Sequence, residues 1–269
     1  MTIPIPVGAH VRSSEDPIAE ALQRGADAAQ IFVGDPKSWK KPQVTTPGGA
    51  AALKAAAEEA GVRLYIHAPY LINVATTNNR VRVPSRRMLQ QQVDIAAEIG
   101  AAGVIVHGGH VPKDDPIEAG FDNWRKAVDQ LEGEVPILIE NTAGGSQAMA
   151  RGVEKIERLW EAVRSADGGS EVGFCLDTCH AFAGGEELPG LADRIRAITG
   201  RIDLVHANDS RDTFDSGADR HANLGAGTID PEDLATVIRE AAAPVVVETP
   251  GEAEDQAADV EWVRRALAG

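Results

Sequence analysis

The chain has 269 residues, 43% of them hydrophobic, with a formal charge of −15 and two cysteines. That length fits one large domain or two small ones, and a single α/β barrel takes about 250 residues. The acidic balance excludes a generally basic nucleic-acid binder, although bound cations would not enter the formal charge; two thiols exclude a secreted disulfide framework, and no apolar run is long enough to span a bilayer.

The elements follow in order as short apolar runs alternating with Ala-rich helical patterns. Ile3 to Ala9 reads as a strand ending at His10, and Asp16 to Arg24 as a helix with Pro17 near its start. Ala29 to Val33 is a second strand, followed by Asp35-Pro-Lys-Ser-Trp39. A helix over Gly48 to Ala60 stops at Gly61. Arg63 to Ile66 is the third strand, ending in His67; a loop from Asn73 to Val83 and a helix from Ser85 to Ile99 come next. Val104 to Val106 ends in His107, with a helix over Asp115 to Leu131. Val135 to Ile139 ends in Glu140, with a helix over Met149 to Val163. Val172 to Leu176 ends in Asp177, with a helix over Leu191 to Ile198. Ile202 to Val205 ends in His206, and Pro231 to Ala241 is a helix capped by Asp230. Val245 to Val247 ends in Glu248, and Glu252 to Leu267 closes the chain.

Eight strand–helix units without a linker predict a single-domain (β/α)8 TIM barrel over residues 1–269. A doubly wound open sheet would not bring eight strand ends around one centre. His10, His67, His107, Glu140, Asp177, His206 and Glu248 all close predicted strands, so a barrel gathers them at one mouth. A carboxylate or imidazole buried there without a partner would cost several kcal/mol. His180 follows Asp177 by three residues, and Asp219-Arg-His221 lies after the seventh strand, its i and i+2 side chains on one side if extended. Five histidines (67, 107, 180, 206, 221) and four acids (140, 177, 219, 248) then point to one centre. Imidazole and carboxylate without thiolate suit Zn²⁺ or Mn²⁺ and admit Fe. Nine ligands exceed one tetrahedral site and fit two or three ions; three divalent ions against four carboxylates would leave the site net positive and suited to a phosphodiester. His10 and His110 are left outside the ligand set, and Cys175 and Cys179 are read as packing residues. Met1 to Gly8 lacks the regions of a signal peptide, and the expected location is the cytoplasm.

The chain resembles the endonuclease IV family of apurinic/apyrimidinic endonucleases. The resemblance rests on Gly8-Ala-His10, Ile66-His-Ala-Pro-Tyr-Leu-Ile-Asn73, Ile139-Glu-Asn-Thr-Ala-Gly144, Leu176-Asp-Thr-Cys-His180, Val205-His-Ala-Asn-Asp-Ser210, Asp219-Arg-His-Ala-Asn-Leu-Gly225 and Val247-Glu-Thr249. It implies three zinc ions. His67, His107 and Glu140 would hold the first, Glu140 would bridge to a second held by Asp177, His206 and Glu248, and His180, Asp219 and His221 would hold the third. It implies hydrolysis of the phosphodiester 5′ to an abasic site, leaving a 3′-hydroxyl and a 5′-deoxyribose phosphate, with removal of 3′-blocking groups. The implied partner is double-stranded DNA with abasic sites or blocked 3′ ends, met by a monomer and without a membrane. Tyr70 and Leu71 would wedge into the minor groove, Lys37 stands where Arg is frequent, and Ser38 where Gln is frequent. Arg80 and Arg82, with Arg86 and Arg87 beyond, are candidate phosphate contacts. His107-Gly-Gly-His110 is one residue shorter than the His-Pro-Gly-Ser-His of many members. A sugar isomerase or epimerase on the same barrel is the alternative. It would need Glu140, Asp177, His206 and Glu248 alone. A non-catalytic damage-binding module is disfavoured because no proposed ligand is missing.

Overall fold

The computed structural model describes residues 4–13 and 16–269. Eight parallel strands close into a barrel: β1 (Val7–His10), β2 (Ala28–Phe32), β3 (Arg63–His67), β4 (Val104–His107), β5 (Ile137–Glu140), β6 (Gly173–Asp177), β7 (Leu204–His206) and, last in sequence, β10 (Val245–Val247). β10 pairs with both β7 and β1, which closes the ring. Between β7 and β10 the chain adds a short antiparallel ribbon, β8 (Asp209–Ser210) and β9 (His221–Ala222), which the sequence reading did not contain. The helices are α1 (Pro17–Gln23), α2 (Gly49–Ala60), α3 (Asn79–Ile99), α4 (Glu118–Val128), α5 (Val153–Arg164), α6 (Thr178–Ala183), α7 (Leu191–Thr199), α8 (Pro231–Ala241) and α9 (Ala253–Ala268). None is long and apolar enough to cross a membrane.

Alternation along the strands sorts the core into two parts. Residues such as Leu64, Ile66, Val104, Ile139 and Val205 pack outward with the helices in the main core. Ala28, Tyr65, Ile105, Leu138, Cys175, Leu204 and Val246 form a separate buried plug inside the barrel, one residue from each of seven strands. The eighth strand, β1, offers Gly8 at this level; a Cβ there would lie 1.7 Å from the Ala28 carbonyl oxygen, so only glycine fits.

Several boundaries differ from the predicted ones for local reasons. The first strand starts at Val7 rather than Ile3, which lies outside the described residues; Pro4 and Pro6 have no N–H for a ladder. The predicted loop 73–83 ends early, because α3 starts at Asn79, capped by the Asn78 side chain on the Arg80 N–H, and runs through Pro84. Pro84 therefore sits within the helix instead of before it. α4 is shorter at both ends than predicted, and Asp115 and Ala119 close turns on Pro112 and Pro116. α5 starts four residues late, since Met149 donates its N–H to the Gly109 carbonyl across the barrel mouth. α6 was not predicted; Asp177 caps it by accepting the His180 N–H at 2.6 Å.

Candidate metal centre

Two residues beyond each member of the inner plug is the next inward position. Those positions are His10, Gln30, His67, His107, Glu140, Asp177, His206 and Glu248, one per strand or just past its end. An apolar floor thus carries a ring of eight polar side chains. Gln30 is the member that the search for strand-end residues missed, because β2 continues to Phe32. Its signal in the sequence is an amide inside the apolar run Ala28-Ala-Gln-Ile-Phe32.

The ring opens into a cavity of about 470 Å³ whose walls include His67, Tyr70, His107, His180, Asp219 and His221. The nine candidate ligands fall into three sets whose ligating atoms lie within 4.8 Å of one another: His67, His107 and Glu140; Glu140, Asp177, His206 and Glu248; and His180, Asp219 and His221. Glu140, wholly buried, belongs to two of them. Its Oε2 lies 3.4 Å from His67 Nε2 and 3.2 Å from His107 Nε2, and its Oε1 lies 3.0 Å from His206 Nδ1.

Backbone carbonyls orient three of the rings. His67 Nδ1 is 2.7 Å from the Ala68 oxygen, His180 Nδ1 is 3.0 Å from the Asn141 oxygen, and His221 Nδ1 is 3.4 Å from the Glu248 oxygen. A carbonyl only accepts, so Nδ1 keeps its proton and Nε2, turned to the cavity, is the nitrogen that a cation would meet. Asn208 donates to Asp177 Oδ2 at 2.7 Å and accepts the Glu248 N–H, and Asn141 exchanges two hydrogen bonds with the Asp177 backbone.

Among the described residues, Glu140 Oε2, His180 Nε2 and His221 Nε2 are buried without a hydrogen-bond partner. Yet each has neighbours close by: both imidazole nitrogens lie within 3.2 Å of Asp219 Oδ1. Atoms that approach one another without hydrogen-bond alignment are aimed at a shared point between them, and a cation there satisfies them all. The donor set fits a divalent metal. Burial opposes charge on His180, but Asp177, Asp219 and Glu140 outweigh it and hold its pKa well above the usual imidazole value. The His221 imidazole, beside Asp219, Asp177 and Glu248, is likewise raised against its burial, to about 9.

Cys179 also lies near Asp177 and His221, but burial pushes its thiol up to about 12, as it does that of Cys175. Neither offers a thiolate at neutral pH. Both are expected to resist iodoacetamide in the native protein at pH 8 and to react within minutes in denaturant. Mass spectrometry of the native sample showing alkylation of either one would contradict this.

The third set depends on the ribbon and its loop. The buried Asp209 carboxylate accepts four backbone N–H groups, from Ser210, Gly225, Gly227 and Ile229, at 2.7–3.1 Å. Asp259 on α9 accepts from the Asn223 amide, the Leu224 N–H and the Thr249 hydroxyl. These bonds fix the base of the loop that carries Asp219, whose side chain is 54% exposed.

The candidate DNA contacts separate by environment. Tyr70 is 56% exposed at the cavity rim, with its ring 5.5 Å from that of His67 and 5.8 Å from that of His107. Leu71 is half-buried, while Lys37 and Arg80 are exposed. The Arg82 guanidinium donates to the Thr76 and Thr77 carbonyls and the Asn79 side chain, and Arg86 donates to the Asn123 carbonyl. Those two arginines therefore secure the loop after β3 and the packing of α3 on α4.

Residues 18–266 match a family model described as a xylose isomerase-like TIM barrel. The chain is 55% identical to a protein named probable endonuclease 4 from Mycobacterium ulcerans (strain Agy99), over 97% of this chain and 98% of that one. Among solved structures it is similar to endonuclease IV from Thermus thermophilus, with a TM-score of 0.83 and 29% identity over 98% of this chain and 99% of that one. A D-tagatose 3-epimerase-like protein shares the barrel at a TM-score of 0.78, with 19% identity and 97% of both chains covered.

Proposed function

Because this chain belongs to the endonuclease IV family, within the xylose isomerase-like TIM barrels, we propose that residues 1–269 act as one apurinic/apyrimidinic endonuclease domain of cytoplasmic base-excision repair. It is a monomer that hydrolyses the phosphodiester 5′ to an abasic site in duplex DNA, leaving a 3′-hydroxyl and a 5′-deoxyribose phosphate, and that clears blocked 3′ ends. The observation that carries this reading is the convergence of nine imidazole and carboxylate groups in three sets, two of them sharing Glu140. His67, His107 and Glu140 would hold one zinc, Glu140, Asp177, His206 and Glu248 a second, and His180, Asp219 and His221 a third. Bound zinc lowers the pKa of water and neutralises charge on the phosphoryl and leaving oxygens.

The chain's own residues do the rest. The two oxygens of Glu140 face different histidines and tie the first two sets together. Direct attack of water on phosphorus needs no side-chain nucleophile, and the two thiols are buried. The exposed Tyr70 ring offers a stacking face at the cavity mouth, with Leu71 behind it and Lys37 and Arg80 free to meet phosphates. Arg82 supports the same surface through the loop it braces.

Glu140, Asp177, His206 and Glu248 alone would serve a one-ion sugar isomerase or epimerase. The other two sets and the exposed Tyr70 favour the nuclease. The test is incubation of zinc-loaded protein with an end-labelled abasic duplex. Cleavage with 3′-hydroxyl and 5′-deoxyribose phosphate termini supports the reading, whereas an inert duplex beside an isomerised sugar overturns it.

Tyr70→Ala is expected to weaken binding to an abasic duplex by about 1–3 kcal/mol, or roughly 5–160-fold, the range for loss of one base–aromatic stack. Binding to intact duplex should change far less. Equal losses for the two duplexes, read by fluorescence anisotropy, would mean that Tyr70 only packs.

A further inference from the structure

We propose that Gln30 is a positioning residue for the metal centre, one whose amide dictates which nitrogen His206 offers and which oxygen Glu248 offers. The inference rests on the metal-centre reading above. Gln30 is wholly buried in β2 and has ligating residues on two sides. Its Nε2 lies 2.5 Å from Glu248 Oε1 and 2.9 Å from His10 Nδ1, and its Oε1 lies 2.8 Å from His206 Nε2.

The chemistry of these groups fixes the arrangement. A carboxylate only accepts, so the amide atom against Glu248 has to be the nitrogen. The atom against His206 is then the oxygen, which also only accepts, so His206 Nε2 carries its hydrogen. The lone pair of His206 is thereby placed on Nδ1, which lies 3.0 Å from Glu140 Oε1 and 3.5 Å from Glu248 Oε2. His67, His180 and His221 are set the opposite way, with Nδ1 against a backbone carbonyl and Nε2 inward. His206 alone among these four presents Nδ1, and its Nε2 is met by a side chain in the wall opposite. Gln30 does for His206 what backbone carbonyls do for the other three. By holding Glu248 Oε1 it also leaves Oε2 turned toward His206.

No other side chain of similar size does both jobs. Met would fill the space but leave the Nε2–H of His206 buried without an acceptor. Glu would set a second carboxylate against Glu248. An Asn amide is one methylene too short to span the two neighbours.

The test compares wild type with Gln30→Met by zinc titration against a chromophoric chelator. One zinc affinity is expected to fall roughly 10–100-fold, the usual effect of losing a group that orients a ligand, with the remaining affinities within about twofold of wild type. The visible absorption bands of the Co²⁺-loaded protein should change, and the metal-free melting temperature should fall by only the few degrees that an unpaired buried N–H costs. Gln30→Asn is expected to behave in the same way and serves if the Met variant does not fold. Unchanged affinities and an unchanged Co²⁺ spectrum in a folded variant would overturn the assignment, as would an equal loss at every site. A wild-type chain that takes up no zinc in the parallel titration would overturn the metal-centre reading itself, an outcome distinct from a wild type and variant that bind alike.

Discussion

Replacing Glu140 with Gln is expected to lower the kcat for cleavage of an abasic duplex by about 10³-fold or more. The far-ultraviolet circular dichroism spectrum should not change, because the amide keeps the volume and one oxygen. Glu140 is wholly buried, with His206, His180, His67 and His107 all within 3.4 Å of its carboxylate. Burial opposes its charge, but the surrounding His206, His107 and His180 outweigh burial and hold its carboxyl well below the usual range. It is therefore a carboxylate at neutral pH with an oxygen for each of two ligand sets. The amide removes that charge and turns N–H donors toward rings that already point their own donors or lone pairs at this spot. Binding of DNA through the rim should survive, so the loss should fall on kcat more than on KM. Near-normal turnover in the variant would rule out the bridging role.

Stripping the protein with a chelator should abolish cleavage and lower the melting temperature by roughly 8–16 °C. A ligand present at about 1,000 times its Kd contributes about 4 kcal/mol, and each kcal/mol shifts a chain of this size by about 2–4 °C. The gap between the loaded and stripped proteins should depend on pH in a set direction. His221 is raised from 6.5 to about 9, and His180 is also raised, in the metal-free fold. A raised imidazole pKa stabilises the fold fully below the unfolded value, and that contribution is lost as pH rises through the folded one. The stripped protein should thus weaken between pH 6.5 and 9, while zinc, which competes with those protons, binds more tightly. The difference in melting temperature should widen across that window. Calorimetry in two buffers of unlike ionisation heat should show proton release on zinc binding. A gap that narrows with rising pH would contradict the assignment of these histidines.

The barrel was legible because the strands are short and apolar and all but the second are closed by a polar residue, a pattern that buried parallel strands impose on sequence. His67, His107, Glu140, Asp177, His206 and Glu248 stood out as candidates for the same reason. Gln30 did not, because the feature that matters is the inward position two residues beyond the apolar plug. In β2 the strand runs past that position to Phe32. Helix starts were read too early at Met149 and too late at Ser85. In the first case tertiary hydrogen bonds across the barrel mouth took the backbone; in the second, Asn78 caps a helix that accommodates Pro84. The sequence could place Arg82 and Arg86 near the substrate face, but not reveal that their guanidinium groups are occupied by backbone carbonyls.

The ribbon that carries Asp219 and His221 is anchored through Asp209 and Asp259, while the ring of eight stands on the strands themselves. The nine candidate ligands divide accordingly: six stand in the ring, Asp219 and His221 on the ribbon and its loop, and His180 on α6. A barrel with only the ring keeps both sets that share Glu140, so loss of the ribbon would take only Asp219 and His221 from the third set without touching the folding core. A library confined to residues 209–229 would therefore vary the third set alone while the barrel stays intact.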